Sequence, residues 1–441
     1  MASTTTVELQ SFTHNGSSRS ALVDEPPPDA VIAQSQLADA TVPDGGYGWV
    51  IVTCCAIITW WFVGTTYCWG VIQGALAQQG LASPSTLSFI GSVAVALNAF
   101  LAILSARVIR RIGVRAAAMT GICFLSGGEI LGGFCTHSLI GLFITAGFTL
   151  GVGVSLCFMS VSTVTAQYFY RKRGLANGIV FAGGGLGGAV ISFAMDRVNQ
   201  WLGPAWTFRI IGIAQLATGL PAAWLLKERN PTRRAVLIDW HLFKDPTFVV
   251  LFLAGGIVTF PLLVPPFFLP LYSRSIGLSS SSGAGLVAGF NFSSALGRIG
   301  FGVLADFIGP LNALLFGLVI NALSLLILWP ASTTLGPLIA FVMINGMANG
   351  SFFATMPTVV GNLFGSVRVA VAMGMIVTSW GGGYLMGAPI AGYLLDAYGG
   401  EKGGFEAYRP AIWYAGSLAV GAASLVGFMR FWKDVRVLRK L

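Results

Sequence analysis

Residues 283–305 read GAGLVAGFNFSSALGRIGFGVLA, an apolar stretch long enough to cross a lipid bilayer and broken by a single charge, Arg298. A guanidinium at that depth is so costly that it is kept where it faces a protein interior or a water-filled path. The stretch therefore points to a membrane helix and to a solute route, rather than to a catalytic site in water. The rest of the chain agrees. Of its 441 residues 55% are hydrophobic and 9% charged, where soluble domains carry about 25% charged residues, and the mean hydropathy is +0.78.

Working outward from residue 283, twelve apolar segments can be marked, at 50–73, 86–106, 116–135, 139–165, 175–195, 206–226, 248–272, 283–305, 311–330, 335–360, 369–395 and 411–432. We number them spans 1 to 12. Each is near the roughly 20 residues that a spanning helix needs. A membrane barrel would require alternating polar and apolar residues, which are absent, so the expected fold is an all-α membrane protein. The longest internal polar connection, 227–247, falls after span 6 and divides the membrane part into bundles at 44–226 and 248–432. Parallel repeats of six helices are expected. One internal echo supports them: Arg110-Arg111-Ile112-Gly113 after span 2 and Asp306-Phe307-Ile308-Gly309 after span 8.

Residues 1–43 are rich in Ser, Thr, Asp and Pro and bury too little apolar surface to fold alone, and no apolar run precedes Trp49 that would read as a signal peptide. A disordered cytosolic tail is expected there, with a second short one at 433–441. Lys and Arg gather after spans 2, 4, 6 and 12, whereas loops of the other parity carry Arg197, Arg274, Lys402 and Arg409. Both termini are therefore expected in the cytosol. The formal charge of +9 follows from that topology and does not call for nucleic acid. The six cysteines lie in or at the ends of spans without metal-ligand spacing, and the three histidines fall in the tail and loops. Neither a cofactor nor a metal is expected.

Candidate site residues are few. Asn291, Ser294 and Arg298 recur at i, i+3 and i+7, giving span 8 one polar face. A guanidinium offers a fork of donors that suits a carboxylate, although it can also serve only to tie helices together. Glu129 in span 3 is the other charge well inside a span. A carboxyl in a low-dielectric setting can exchange a proton near neutral pH, as proton coupling requires, or can be a neutral hydrogen-bonding group between helices. Thr66 and Gln73 in span 1, Asn98 in span 2, and Asn345 and Asn349 in span 10 offer neutral donors. Gly183 to Gly188 lacks the strand and the Gly-Lys-Ser/Thr ending of a phosphate loop and reads as close helix packing. Pro261, Pro265, Pro266 and Pro270 interrupt span 7, either as a static kink or as a bend lining a cavity.

Two motifs carry a family resemblance. Pro43-Asp44-Gly45-Gly46-Tyr47-Gly48-Trp49-Val50 precedes span 1 and resembles the signature of the monocarboxylate porter family of the major facilitator superfamily. In physical terms Asp44 can cap the helix, and Tyr47 and Trp49 can anchor at the interface. Tyr168 to Gly178, YFYRKRGLANG, is similar to the family's second signature, at the entry to span 5. Gly297-Arg298 through Asp306 and Gly309 resembles the superfamily's cytosolic gate motif, and the tail with its short central loop is similar to the fungal branch.

The resemblance implies a cavity between two six-helix bundles that opens alternately to each side. It assigns Asp306 to the cytosolic gate, with Arg110 replacing the family's acid at the matching place in the first half and Arg111 beside it. Two further departures stand out: Val71 replaces the span 1 lysine of animal lactate carriers, and Ser294 their span 8 acid. Lactate-type proton symport is thereby put in doubt.

A secondary active transporter of a carboxylate or carboxylated fungal metabolite is the expected function. Arg298 would bind the anion with Asn291 and Ser294, and Glu129 would carry a proton. Secondary-metabolite efflux and nutrient uptake both remain open. The expected unit is one chain in the plasma membrane, with the vacuole as the alternative. The competing reading is a sensor or scaffold on the same fold. A membrane-embedded enzyme is disfavoured, because no catalytic set of side chains lies at membrane depth.

Overall fold

The computed structural model describes residues 45–82, 84–165, 167–169, 172–229 and 238–434. Asp44, the N-terminal tail, Arg171, the middle of the central loop and the last seven residues lie outside them. All twelve expected segments fall on helices, and no strand occurs among the described residues. Eight helices have the length and hydropathy to cross a bilayer, nine with the pair Thr86–Phe100 and Ala102–Ile112, which is bent by 58°. Arg173–Trp224 holds spans 5 and 6, because Gly203 breaks it with φ 77° and ψ 173°. Ser280–Ile308 supplies span 8, and the 63-residue helix Leu335–Ala397, broken at Gly365, supplies spans 10 and 11.

Two matching turns occur where the sequence echo lies. Between spans 2 and 3 the chain turns on Gly113, with φ 82° and ψ 159°, and between spans 8 and 9 on Gly309, with φ 95° and ψ 144°. This region of backbone space is essentially open only to glycine. The same turn thus recurs after six spans, at the two places where the sequence echo was found.

Span 5 is the central wedge of the molecule, and the glycine run explains how it fits. A Cβ on Gly183 or Gly187 would strike the backbone of span 1 at Ala56 or Trp60, and one on Gly185 would come within 2.7 Å of the Asn291 carbonyl and the Ala295 nitrogen of span 8. Small residues let the backbones approach until van der Waals contact is continuous. The close-packing reading of these glycines is what the structure shows.

Two spans are visibly interrupted. Span 1 runs as Tyr47–Tyr67, breaks at Cys68 and continues as Trp69–Gln78. Span 7 runs as Pro246–Leu262 and resumes at Val264–Ser275. Beyond the two breaks these spans face each other, since a Cβ on Gly70 would lie 3.7 Å from the Pro266 carbonyl oxygen.

The two family-like motifs touch. Trp49 meets Phe169 edge-on at 5.0 Å, and a Cβ on Gly48 would lie 3.0 Å from the same ring. The Tyr47 hydroxyl donates to the Leu225 carbonyl at 2.9 Å and the Tyr168 hydroxyl to that of Lys227 at 3.0 Å, so both motifs clamp the exit of span 6. Burial, and then the neighbouring Tyr47, raise the Tyr168 phenol above its ordinary range, with Arg229 opposing them.

Candidate substrate site

Arg298 is 1% exposed and points across the interface between the first six spans and the last six. Its Nη1 donates to the Phe181 carbonyl of span 5 at 2.5 Å. The guanidinium carbon stands 4.9 Å from the centre of the Phe353 ring and 5.9 Å from that of Tyr67. The Tyr67 and Tyr384 hydroxyls are its electrostatic neighbours. Nε has no hydrogen-bond partner among the described residues. The positive charge is therefore held by neutral groups, a carbonyl, the Tyr67 hydroxyl and ring faces, which satisfy it less well than a carboxylate would. Glycine again makes the approach possible: a Cβ on Gly184 would lie 2.9 Å from Nη1.

Arg298 is linked onward through Tyr67. The Tyr67 hydroxyl donates to Asn349 Oδ1 at 3.4 Å, and Asn349 Nδ2 donates to the Leu262 carbonyl at 2.8 Å. In an unbroken helix that carbonyl would accept from residue 266, but Pro266 has no N–H. Asn349 thus satisfies the group that the proline frees, and one chain of contacts joins spans 8, 1, 10 and 7.

The remaining candidates divide. Asn291, 1% exposed, packs against Gly188 of span 5, and its Nδ2 has no partner among the described residues. Ser294 is fully buried and turns towards Gly350 of span 10, within its own half. Asn345 is held away from Arg298, donating to Asn321 Oδ1 at 2.9 Å and to Ser324 Oγ at 2.8 Å in span 9. Thr66 returns its hydroxyl to Phe62 and Val63 of its own helix. Gln73 is buried beyond the break in span 1.

Glu129 is 3% exposed, and its Oε2 has no partner among the described residues. It interacts electrostatically with the Cys68 thiol at the span 1 break, next to Tyr67. That thiol lies 3.1 Å from both the Gly188 carbonyl and Ser192 Oγ. Asp306 joins the halves at the end of span 8, its carboxylate accepting from the Gly174 and Leu175 backbone nitrogens at 3.3 and 3.1 Å. These are first-turn N–H groups of span 5, where a helix favours negative charge. Arg110 and Arg111 lie in the last turn of Ala102–Ile112, half-buried and exposed respectively.

The chain matches the family profile described as Major Facilitator Superfamily over residues 49–299 and 251–440. The chain belongs to the Major Facilitator Superfamily. This superfamily member is 28% identical over 401 residues to the aspyridones efflux protein apdF of Emericella nidulans, covering 89% of this chain and 81% of that protein. It is 26% identical over 384 residues to monocarboxylate transporter 4 of Gallus gallus, covering 83% and 80%. In fold it resembles the human organic anion transporter MFSD10, with a TM-score of 0.68 at 12% identity over 87% of this chain and 100% of that one. The family and these relatives agree with the resemblance read from the two motifs, and the chain is a multi-pass membrane transporter of a small organic solute.

Sequence reasoning had not singled out Tyr67, Tyr384 or Phe353, nor the Phe181 carbonyl. Aromatic residues in apolar spans read as packing, and a backbone acceptor has no signature at all. The one local signal was the proline cluster, which marks a freed carbonyl.

Proposed function

We propose that the chain moves an organic anion, a carboxylate or carboxylated metabolite, by alternating access. The carrying observation is Arg298, fully buried between the two halves with the neutral Phe181 carbonyl as a hydrogen-bond acceptor. An incoming carboxylate offers two charged acceptors in place of that carbonyl and forms the stronger pair. Asn291 adds on the same face an Nδ2 donor that has no partner among the described residues, and Ser294 supports span 8 from behind. Tyr67 and Asn349 connect the bound anion to the break in span 7. Thr66 and Gln73 act more remotely, through the shape of span 1, and Asn345 ties span 10 to span 9 without a part in binding.

The bundles at 44–226 and 248–432 rock about this site, joined by the loop at 227–247. Asp306 on the span 5 N-terminus closes the cytosolic side, and Arg110 with Arg111 takes the corresponding place in the first half. Glu129 carries the coupling proton beside the span 1 break. Both termini lie in the cytosol, the plasma membrane is the site of action, one chain is the working unit, and no catalytic step is involved. The names of the fungal efflux relatives favour export of a metabolite.

The test compares organic-acid profiles inside and outside cells of a parent strain, a deletion strain, and the deletion carrying wild-type or Arg298→Ala protein. Arg298→Ala should match the deletion at unchanged protein level in the membrane. Restoration of the parental profile would remove Arg298 from the mechanism.

A further inference from the structure

The neighbourhood of Arg298 is aromatic on both sides of the interface. From the first half come Tyr67 and Phe158, and from the second Phe353 and Trp380. Tyr67 faces Phe353 at 6.5 Å and Phe158 faces Trp380 at 6.1 Å, both edge-on and both across the interface. Behind them, Phe158 also meets Phe181, whose carbonyl holds Arg298. All of these rings are buried or nearly so, apart from the half-buried Phe353.

Alternating access must break such contacts. When the halves rock apart, the Tyr67–Phe353 and Phe158–Trp380 pairs separate and their faces must meet either water or the solute. A short aliphatic acid can satisfy the guanidinium but cannot cover two ring pairs. A flat aromatic body can, because ring stacking is favourable beyond the area it buries. Its acid group, lying in the ring plane, reaches the forked donors of Arg298 at the same time.

Resting on the anion reading above, we propose that the solute is a flat aromatic acid. Its carboxylate takes the place of the Phe181 carbonyl on Arg298, and its ring system fills the space between Tyr67 and Phe158 on one side and Phe353 and Trp380 on the other. Specificity then resides in the inter-half ring pairs, and retention of charge in Arg298.

The experiment uses the purified full-length protein in detergent and two probes of equal charge and similar size, 2-naphthoate and its fully saturated analogue decahydro-2-naphthoate. Binding is read from the shift in unfolding temperature as each probe is titrated. The expected result is at least tenfold tighter apparent binding of 2-naphthoate, reduced to less than threefold in Phe353→Leu and in Phe158→Leu. Both variants keep an apolar side chain, and an unshifted unfolding temperature without probe shows that they fold.

Equal binding of the two probes, binding of neither, or unchanged discrimination in both variants would each overturn the aromatic assignment. A separate arm isolates the parent reading. If Arg298→Gln binds 2-naphthoate as the wild type does, the anion site itself is wrong. If Arg298→Gln loses both probes while the wild type does not discriminate between them, only the aromatic assignment falls.

Discussion

Replacing Asp306 with Asn tests the gate with a defined change in charge and almost none in shape. In the structure each carboxylate oxygen accepts a backbone N–H from the first turn of span 5, at 3.3 and 3.1 Å. The geometry depends on Gly174, where a Cβ would come 2.6 Å from Oδ1. Hydrogen bonds to a charged acceptor contribute about 1.5–3 kcal/mol and the helix N-terminus about 0.3–1 kcal/mol more. Asn keeps one acceptor oxygen but loses the charge, so the closed arrangement should lose about 1–2 kcal/mol, a factor of roughly 5–30 in the equilibrium.

The readout is a cysteine at Ala295, which is 1% exposed and packs on Gly185 where spans 5 and 8 meet. With the six native cysteines replaced, alkylation of Ala295→Cys by a membrane-impermeant maleimide applied from the cytosolic side reports opening. Asp306→Asn should accelerate labelling by roughly the computed factor of 5–30. A rate within twofold of the parent would show that the contact does not hold the gate.

Other expectations follow from the same geometry. Gly185→Ala drives a Cβ into the Asn291 and Ala295 backbone, so spans 5 and 8 must separate and labelling at position 295 should rise; an unchanged rate would mean that this packing does not close the passage. Glu129→Gln keeps shape but cannot carry a proton, so flux in proteoliposomes should no longer respond to an imposed pH gradient, whereas a preserved response would make Glu129 a packing residue. Asn345→Ala strips its donor from Asn321 and Ser324 and should cost about 1–3 kcal/mol, seen as a lower unfolding temperature. Its solute affinity should stay at the parental value, and a large loss would place Asn345 at the site instead.

The sequence alone determined the membrane class and the helical spans, because burial in lipid imposes a length and an apolar composition that can be counted along the chain. It also isolated Arg298 and Glu129, since a charge inside an apolar span stands out from its neighbours, while Asp306 came from the resemblance to the gate motif. Tertiary structure decided what those charges face. Arg298 meets Phe181, 117 positions away, and Asp306 meets Gly174 at a separation of 132. Asn345 and Asn349 look alike in sequence, one turn apart in span 10, yet one ties spans 9 and 10 together while the other reaches Leu262 and Tyr67. Composition records what a side chain can do, but its partners are set by helix packing between distant segments, where glycine contacts and proline breaks choose which faces meet.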